Sequence, residues 1–190
     1  TAVLIVVGGP QYRVGSHRQF IQLSRTLASH GIASLRFDYR GMGDSQGEKQ
    51  PFDTICDDIK VACDALAEQQ GITNIVIWGL CDAASAAMIY APQDPRVTGL
   101  ILLNPWLQSE QAMGKSMLKY YYLKRLLSKA FWQKLLSGKV NVTGSISDAS
   151  GFVKDSMAEN VNAQGTYQQR MQQGLEQFSG ALCVILSGED

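Results

Sequence analysis

The chain opens on Ala2–Val7 (AVLIVV), six apolar residues with no polar one between them. A strand with one solvated face alternates apolar and polar positions, so an unbroken run demands cover on both faces. That demand recurs along the first two thirds of the sequence. Ser16 can cap a helix that carries Phe20, Leu23 and Leu27 on one face and stops at Gly31. Ile32–Phe37 reads as a second strand, and Asp38–Gly47 as a glycine-punctuated loop. Phe52–Glu68 reads as the next helix, closed by Gly71, followed by a third strand at Asn74–Trp78. Cys81–Tyr90 is a helix of small residues, and Val97–Leu103 a fourth strand. Strands alternating with helices at this spacing predict an α/β fold: an open, mostly parallel sheet with helices on both faces. Its active site is expected at the carboxyl ends of the strands.

The alternation stops at Asn104 and resumes at Ala181–Leu186, a fifth strand. The expected organisation is therefore a core of residues 1–104 and 181–190, with a helical cap inserted at 105–180. A Ser/Gly-rich stretch at Thr143–Gly151 reads as a loop between cap helices. Between Glu110 and Asp148 stand seven basic residues, from Lys115 to Lys139, and no acidic one, interleaved with Tyr120, Phe131 and Trp132. Two readings fit that pattern: a cap with solvated lysines, or a basic amphipathic surface that meets anionic lipid or an acyl-carrier partner. Apolar residues near a site also suit a small-molecule substrate with an apolar part.

Charge excludes some partners. Lys and Arg together number 17, as do Asp and Glu, so no global field favours nucleic acid. The apolar run at Leu100–Leu103 is far too short to span a bilayer. The N-terminus lacks a basic region and its apolar stretch runs into Gly8-Gly9, unlike a secretory signal, so the expected setting is cytoplasmic. None of Cys56, Cys63, Cys81 and Cys183 sits in a C-x-x-C pair or near a histidine at ligand spacing, so neither metal nor cofactor is expected. Cys56 and Cys63 share an apolar helix face with Ile55, Ile59, Ala62 and Leu66.

Cys81 is different. In Gly79-Leu80-Cys81-Asp82-Ala83 it stands between a strand and a helix, where a nucleophile projects from a tight turn and needs small residues two positions to each side. The helix N-terminus beneath it favours a thiolate and a developing oxyanion. The N–H of Asp82 is one natural oxyanion donor, although its carboxylate disfavours ionisation of the thiol. The second donor belongs to the loop Gly8-Gly9-Pro10-Gln11-Tyr12; Pro10 has no N–H, which leaves Gly9, Gln11 or Tyr12, with Gln11 favoured. Ser85, one helical turn further on, points away from the turn. The plainer alternatives are a buried spectator thiol and an ordinary glycine turn.

Three landmarks then occur in order. "LRFDYRGMGDS", Leu35–Ser45, resembles the D-x-R-G-x-G-x-S loop of many α/β-hydrolases, and it lies between the Gly-Gly loop and the cysteine turn. "VVGGPQYRVGSHRQF", "FDYRGMGDSQGE", "WGLCDAASA" and "LLNPW" are similar to the exosortase A system-associated hydrolases of the first type, most densely over residues 2–106. That resemblance implies an α/β-hydrolase fold, hydrolysis of an ester or thioester through the cysteine, and a link to exopolysaccharide and protein-sorting systems. The order of such sites puts an acid after a late strand, where Asp190 stands beside Glu189, and then a histidine. Only His17 and His30 exist, both before Cys81, His30 being a surface residue by pattern. The resemblance therefore implies a base beyond residue 190 and a chain that is a fragment of a longer hydrolase. The competing expectation is a non-catalytic protein of the same fold that binds a lipid, a glycan intermediate or a protein.

Overall fold

The computed structural model describes residues 1–9, 11–69, 71–107 and 165–188. Five strands form one sheet: β1 (Ala2–Val6), β2 (Ala33–Phe37), β3 (Ile75–Leu80), β4 (Val97–Leu103) and β5 (Ala181–Ile185). Their order is β2-β1-β3-β4-β5, and every neighbouring pair is parallel. The described helices are α1 (Gln19–Ser29), α2 (Cys56–Ala67), α3 (Asp82–Tyr90) and α4 (Tyr167–Gln177). The open parallel α/β sheet expected from the alternation is what the chain adopts.

The unbroken apolar run of β1 has its cause in this arrangement. Val3, Ile5 and Val7 pack with Phe20, Leu23 and Leu27 on one face of the sheet, and Phe20 meets Trp78 edge-on at 5.5 Å between ring centroids. Leu4 and Val6 join Ile59, Cys63 and Leu66 of α2 and the alanines of α3 on the other face. Each such side chain, fully buried, contributes about 1.5–3 kcal/mol. Ala83 through Tyr90 are all buried, and α3 has no polar stripe because it has no solvated side.

The chain divides into Thr1–Leu107 with Gln164–Asp190, and a second unit, Gln108–Ala163. Helix α4, which the sequence reading placed inside the 105–180 insertion, packs on α3 in the first unit. A Cβ at Gly174 would lie 2.1 Å from the Met88 carbonyl oxygen, so glycine lets the two helices touch. Thr166 and Gln169 close the start of α4 with a reciprocal capping box. Arg170 forms an ion pair with the Asp53 carboxylate and donates to the Asp53 carbonyl at 2.8 Å, both side chains being buried. The basic segment Lys115–Lys139 and the Thr143–Gly151 stretch lie outside the described residues. Among those that are described, no helix is long and apolar enough to cross a membrane.

At one edge of the sheet, β5 leaves its side chains exposed: Leu182, Val184 and Ile185 are each about half accessible, and Leu186 beyond them more so.

Candidate active site

The strands end together, and β3 passes directly into α3 through Cys81. The Cys81 backbone has φ 58° and ψ −123°, a conformation that side chains rarely adopt and that costs on the order of 1–3 kcal/mol. Hydrogen bonds hold it there. Its N–H donates to the Leu103 carbonyl at 2.8 Å, at the end of β4. Its carbonyl accepts from Ala84 N at 3.0 Å, Trp106 N at 3.2 Å and Ser85 N at 3.3 Å. A Cβ on Gly79 would lie 2.7 Å from the Ala84 Cα, so glycine allows strand and helix to close on each other. Cys81 is half-buried, while the first turn of α3 aims its N–H groups towards the same spot.

The other thiols have different surroundings. Burial pushes the Cys63 thiol up to about 11 and raises that of Cys56 as well. Neither forms a thiolate readily near neutral pH. Cys183 is exposed on β5. The Ser85 hydroxyl is buried and donates to the Trp106 carbonyl at 3.0 Å, a bond that ties the loop after β4 to α3.

Asp82 reaches across to the loop after β1. Its Oδ1 accepts the Gly9 N–H at 2.6 Å, and a Cβ on Gly8 would lie 2.3 Å from the same oxygen and 2.2 Å from the Leu80 carbonyl oxygen. Of the three N–H groups expected as second donor, that of Gly9 is engaged by this carboxylate. Gln11 and Tyr12 follow in the same loop. The Gln11 side chain accepts from Gln19 Nε2 at 3.3 Å, and Tyr12 is exposed with the Arg13 guanidinium 5.9 Å from its ring centre.

The "DYRGMGDS" loop proves to be a brace. Asp38 is buried and accepts Arg13 N at 2.6 Å, the Arg13 guanidinium, and Asp44 N at 3.2 Å. The Ser45 hydroxyl donates to the Asp38 carbonyl. A Cβ on Gly43 would lie 2.4 Å from the Asp38 carboxylate, and Gly43 adopts φ 54°. Arg40 grips Asp58 of α2 through Nε at 2.9 Å. The motif's spacing was legible, but its attachment to Arg13 was not, because that contact joins two separate loops. Tyr39 is buried, and burial first, then the charges of Asp82 and Asp58, push its hydroxyl up to about 12. It stays protonated at neutral pH.

Asn104 links the far strands. It adopts φ 43°, its side-chain oxygen accepts Ser187 N at 2.7 Å, and its amide donates to Ser187 Oγ at 2.8 Å. The loop after β5 is thereby tied to the end of β4. Asp190 and Glu189 lie outside the described residues. His17 sits in a short turn after β1, at the same end of the parallel sheet as the Cys81 turn, the elbow. His30 follows α1 three residues before β2 begins, at the opposite end of the sheet, with Nδ1 2.8 Å from the Thr26 carbonyl. Among the described residues, no cluster of three His, Cys, Asp or Glu side chains is arranged to hold a metal ion.

A family model described as serine aminopeptidase, S33, matches residues 2–179. No curated protein gives a significant match. Among solved structures, the esterase Pf2001 of Pyrococcus furiosus is similar at a TM-score of 0.58 and 16% identity, over 97% of this chain and 71% of that one. The α/β-hydrolase GrgF from Penicillium sp. sh18 gives 0.56 and 14%, over 98% and 81%. Est1E from Butyrivibrio proteoclasticus, solved with ferulic acid bound, gives 0.50 and 23%, over 59% of this chain. The chain spans 43% of the length of Est1E.

Proposed function

The chain belongs to the serine aminopeptidase S33 family of α/β-hydrolases, and on that premise we propose that it hydrolyses ester or thioester bonds with Cys81 in place of the serine that the family's description names. The observation that carries this is the φ of 58° at Cys81, a strained backbone at the strand-to-helix turn held by four hydrogen bonds. In the proposed reaction the Cys81 thiolate forms a bond to the acyl carbon, and the carbonyl electron pair moves onto oxygen. The N–H groups of Asp82 and Gln11 hold that oxyanion. Its collapse breaks the bond to the alcohol or thiol, which leaves with the proton that Cys81 gave up. Water then adds to the acyl-thioester, releases the acid and restores the thiol. By the chain order of such sites the proton carrier is a histidine, and Asp190 is the candidate acid that orients it.

Thioesters and activated esters suit a thiolate better than amides do. The resemblance to exosortase-associated hydrolases supports an acyl substrate with an apolar part, drawn from an exopolysaccharide or protein-sorting system and met in the cytoplasm. The basic segment Lys115–Lys139 supports contact with an acyl carrier or an anionic membrane surface.

A second reading, in which the fold only binds such a molecule, draws on the exchange of serine for cysteine. Alkylation with iodoacetamide at graded pH separates the two, in the full-length protein and in a Cys183→Ser background that silences the exposed thiol. The expected result is rapid alkylation of Cys81 near neutral pH, slow alkylation of Cys56 and Cys63, and parallel loss of turnover of an activated acyl ester. A Cys81 no more reactive than a model thiol at every pH, with ester turnover surviving in Cys81→Ala, would overturn the proposal.

A further inference from the structure

The loop that holds Gln11 and Tyr12 is gripped on both sides. The Asp82 carboxylate accepts Gly9 N at 2.6 Å, and the Asp38 carboxylate accepts Arg13 N at 2.6 Å. Two buried or half-buried carboxylates thus take backbone N–H groups four residues apart, and the two candidate donors lie between them. Hydrogen bonds to an ionised acceptor are shorter and roughly twice as strong as neutral ones. Gly8 fits against Asp82 and Leu80 only because it lacks a Cβ, so the approach of loop to elbow is built into the sequence on both sides. The Gly9 and Asp82 partners stand 73 residues apart, so nothing local enforces this contact.

We propose that the Asp82 carboxylate is a positioning residue that sets the second oxyanion donor, while the N–H of the same residue supplies the first. This rests on the acyl-transfer reading above and goes beyond it. Asp82 carries its own N–H at the start of α3 and, through Oδ1, fixes Gly9, two residues before the Gln11 N–H. One residue then sets the spacing between both donors, which is the distance an oxyanion must match. It also accounts for an acidic side chain beside a nucleophile that must become an anion. The negative charge is engaged by the Gly9 N–H and by the start of a helix, where it is favourable.

The test compares Asp82→Asn with Asp82→Ala in the full-length protein. An asparagine oxygen can accept the same N–H; alanine cannot. With p-nitrophenyl acetate as the probe, Asp82→Ala is expected to lower kcat by about 100-fold with KM changed by less than about threefold, as for loss of an oxyanion donor. Asp82→Asn is expected to recover most of that loss. Amide exchange read by NMR supplies an arm that needs no turnover: the Gly9 N–H should exchange at least about tenfold faster in Asp82→Ala than in Asp82→Asn. Thermal melts identify a variant that has simply unfolded, in which case Asp82→Asn against the unaltered protein decides by the same two readouts. Equal kcat in both variants, or unchanged Gly9 exchange in Asp82→Ala, would overturn the positioning role. If the unaltered protein turns over no acyl ester at all, the function reading falls, and the exchange arm still decides whether Asp82 holds the loop.

Discussion

At Cys81 the backbone stands at φ 58° and ψ −123°, where β3, the end of β4 and α3 meet: its N–H donates to the Leu103 carbonyl, and its carbonyl accepts from Ala84, Ser85 and Trp106. At β5 the backbone is regular, paired in register with β4 from Gly99↔Ala181 to Leu103↔Ile185, and its apolar side chains stand half in water. One region has a costly backbone and well-covered neighbours; the other has a relaxed backbone and uncovered side chains. The difference teaches where strain can survive. An unfavourable dihedral persists when surrounding bonds over-determine it, and the core behind the elbow supplies them. An edge with few such constraints can hold only ordinary geometry.

Four substitutions probe this contrast. The largest effect is expected between the two regions, at the helix that leads into β5. Arg170→Ala leaves the buried Asp53 carboxylate without its partner and should lower unfolding free energy by about 3–5 kcal/mol in chemical denaturation. An effect below about 1 kcal/mol would mean that α4 is held by packing alone. Next comes Gly79→Ala, whose Cβ meets the backbone of Ala84 at 2.7 Å. It should destabilise by about 1–3 kcal/mol and slow Cys81 alkylation, because the elbow has to open to admit it. Smaller and of opposite sign, Cys81→Gly should raise stability by about 1 kcal/mol by relieving the positive φ. A neutral or destabilising result would show that the elbow is not strained. The smallest change is expected from Val184→Thr on β5, within about 0.5 kcal/mol, since that side chain is half exposed already. A loss above 1 kcal/mol there would erase the contrast between edge and elbow.

Much of this was legible in residues 2–103. Unbroken apolar runs such as AVLIVV can belong only to strands covered on both faces, and β1 is such a strand. The elbow was legible because Gly79, Cys81 and Ala83 combine a small-residue demand with a strand-to-helix switch. Helix α4 was not. Its residues YQQRMQQGLEQ are mostly polar, and what buries it is an arginine, a methionine and a glycine rather than an apolar stripe. A charged residue whose partner lies 117 positions away leaves no periodic signal. The fate of the Gly9 N–H was hidden for the same reason, since only the folded sheet brings Asp82 to it.

The bond from Trp106 N to the Cys81 carbonyl has an optical consequence. An indole about 41% accessible to water is anchored, through its own backbone, one hydrogen bond from the proposed nucleophile's main chain. Acylation of Cys81, or displacement of its turn, is expected to change the emission of this ring, which a stopped-flow trace checks. A tryptophan thus stands, by its main chain, at the turn, and an unchanged emission on mixing with an activated acyl ester would show that the ring does not sense it.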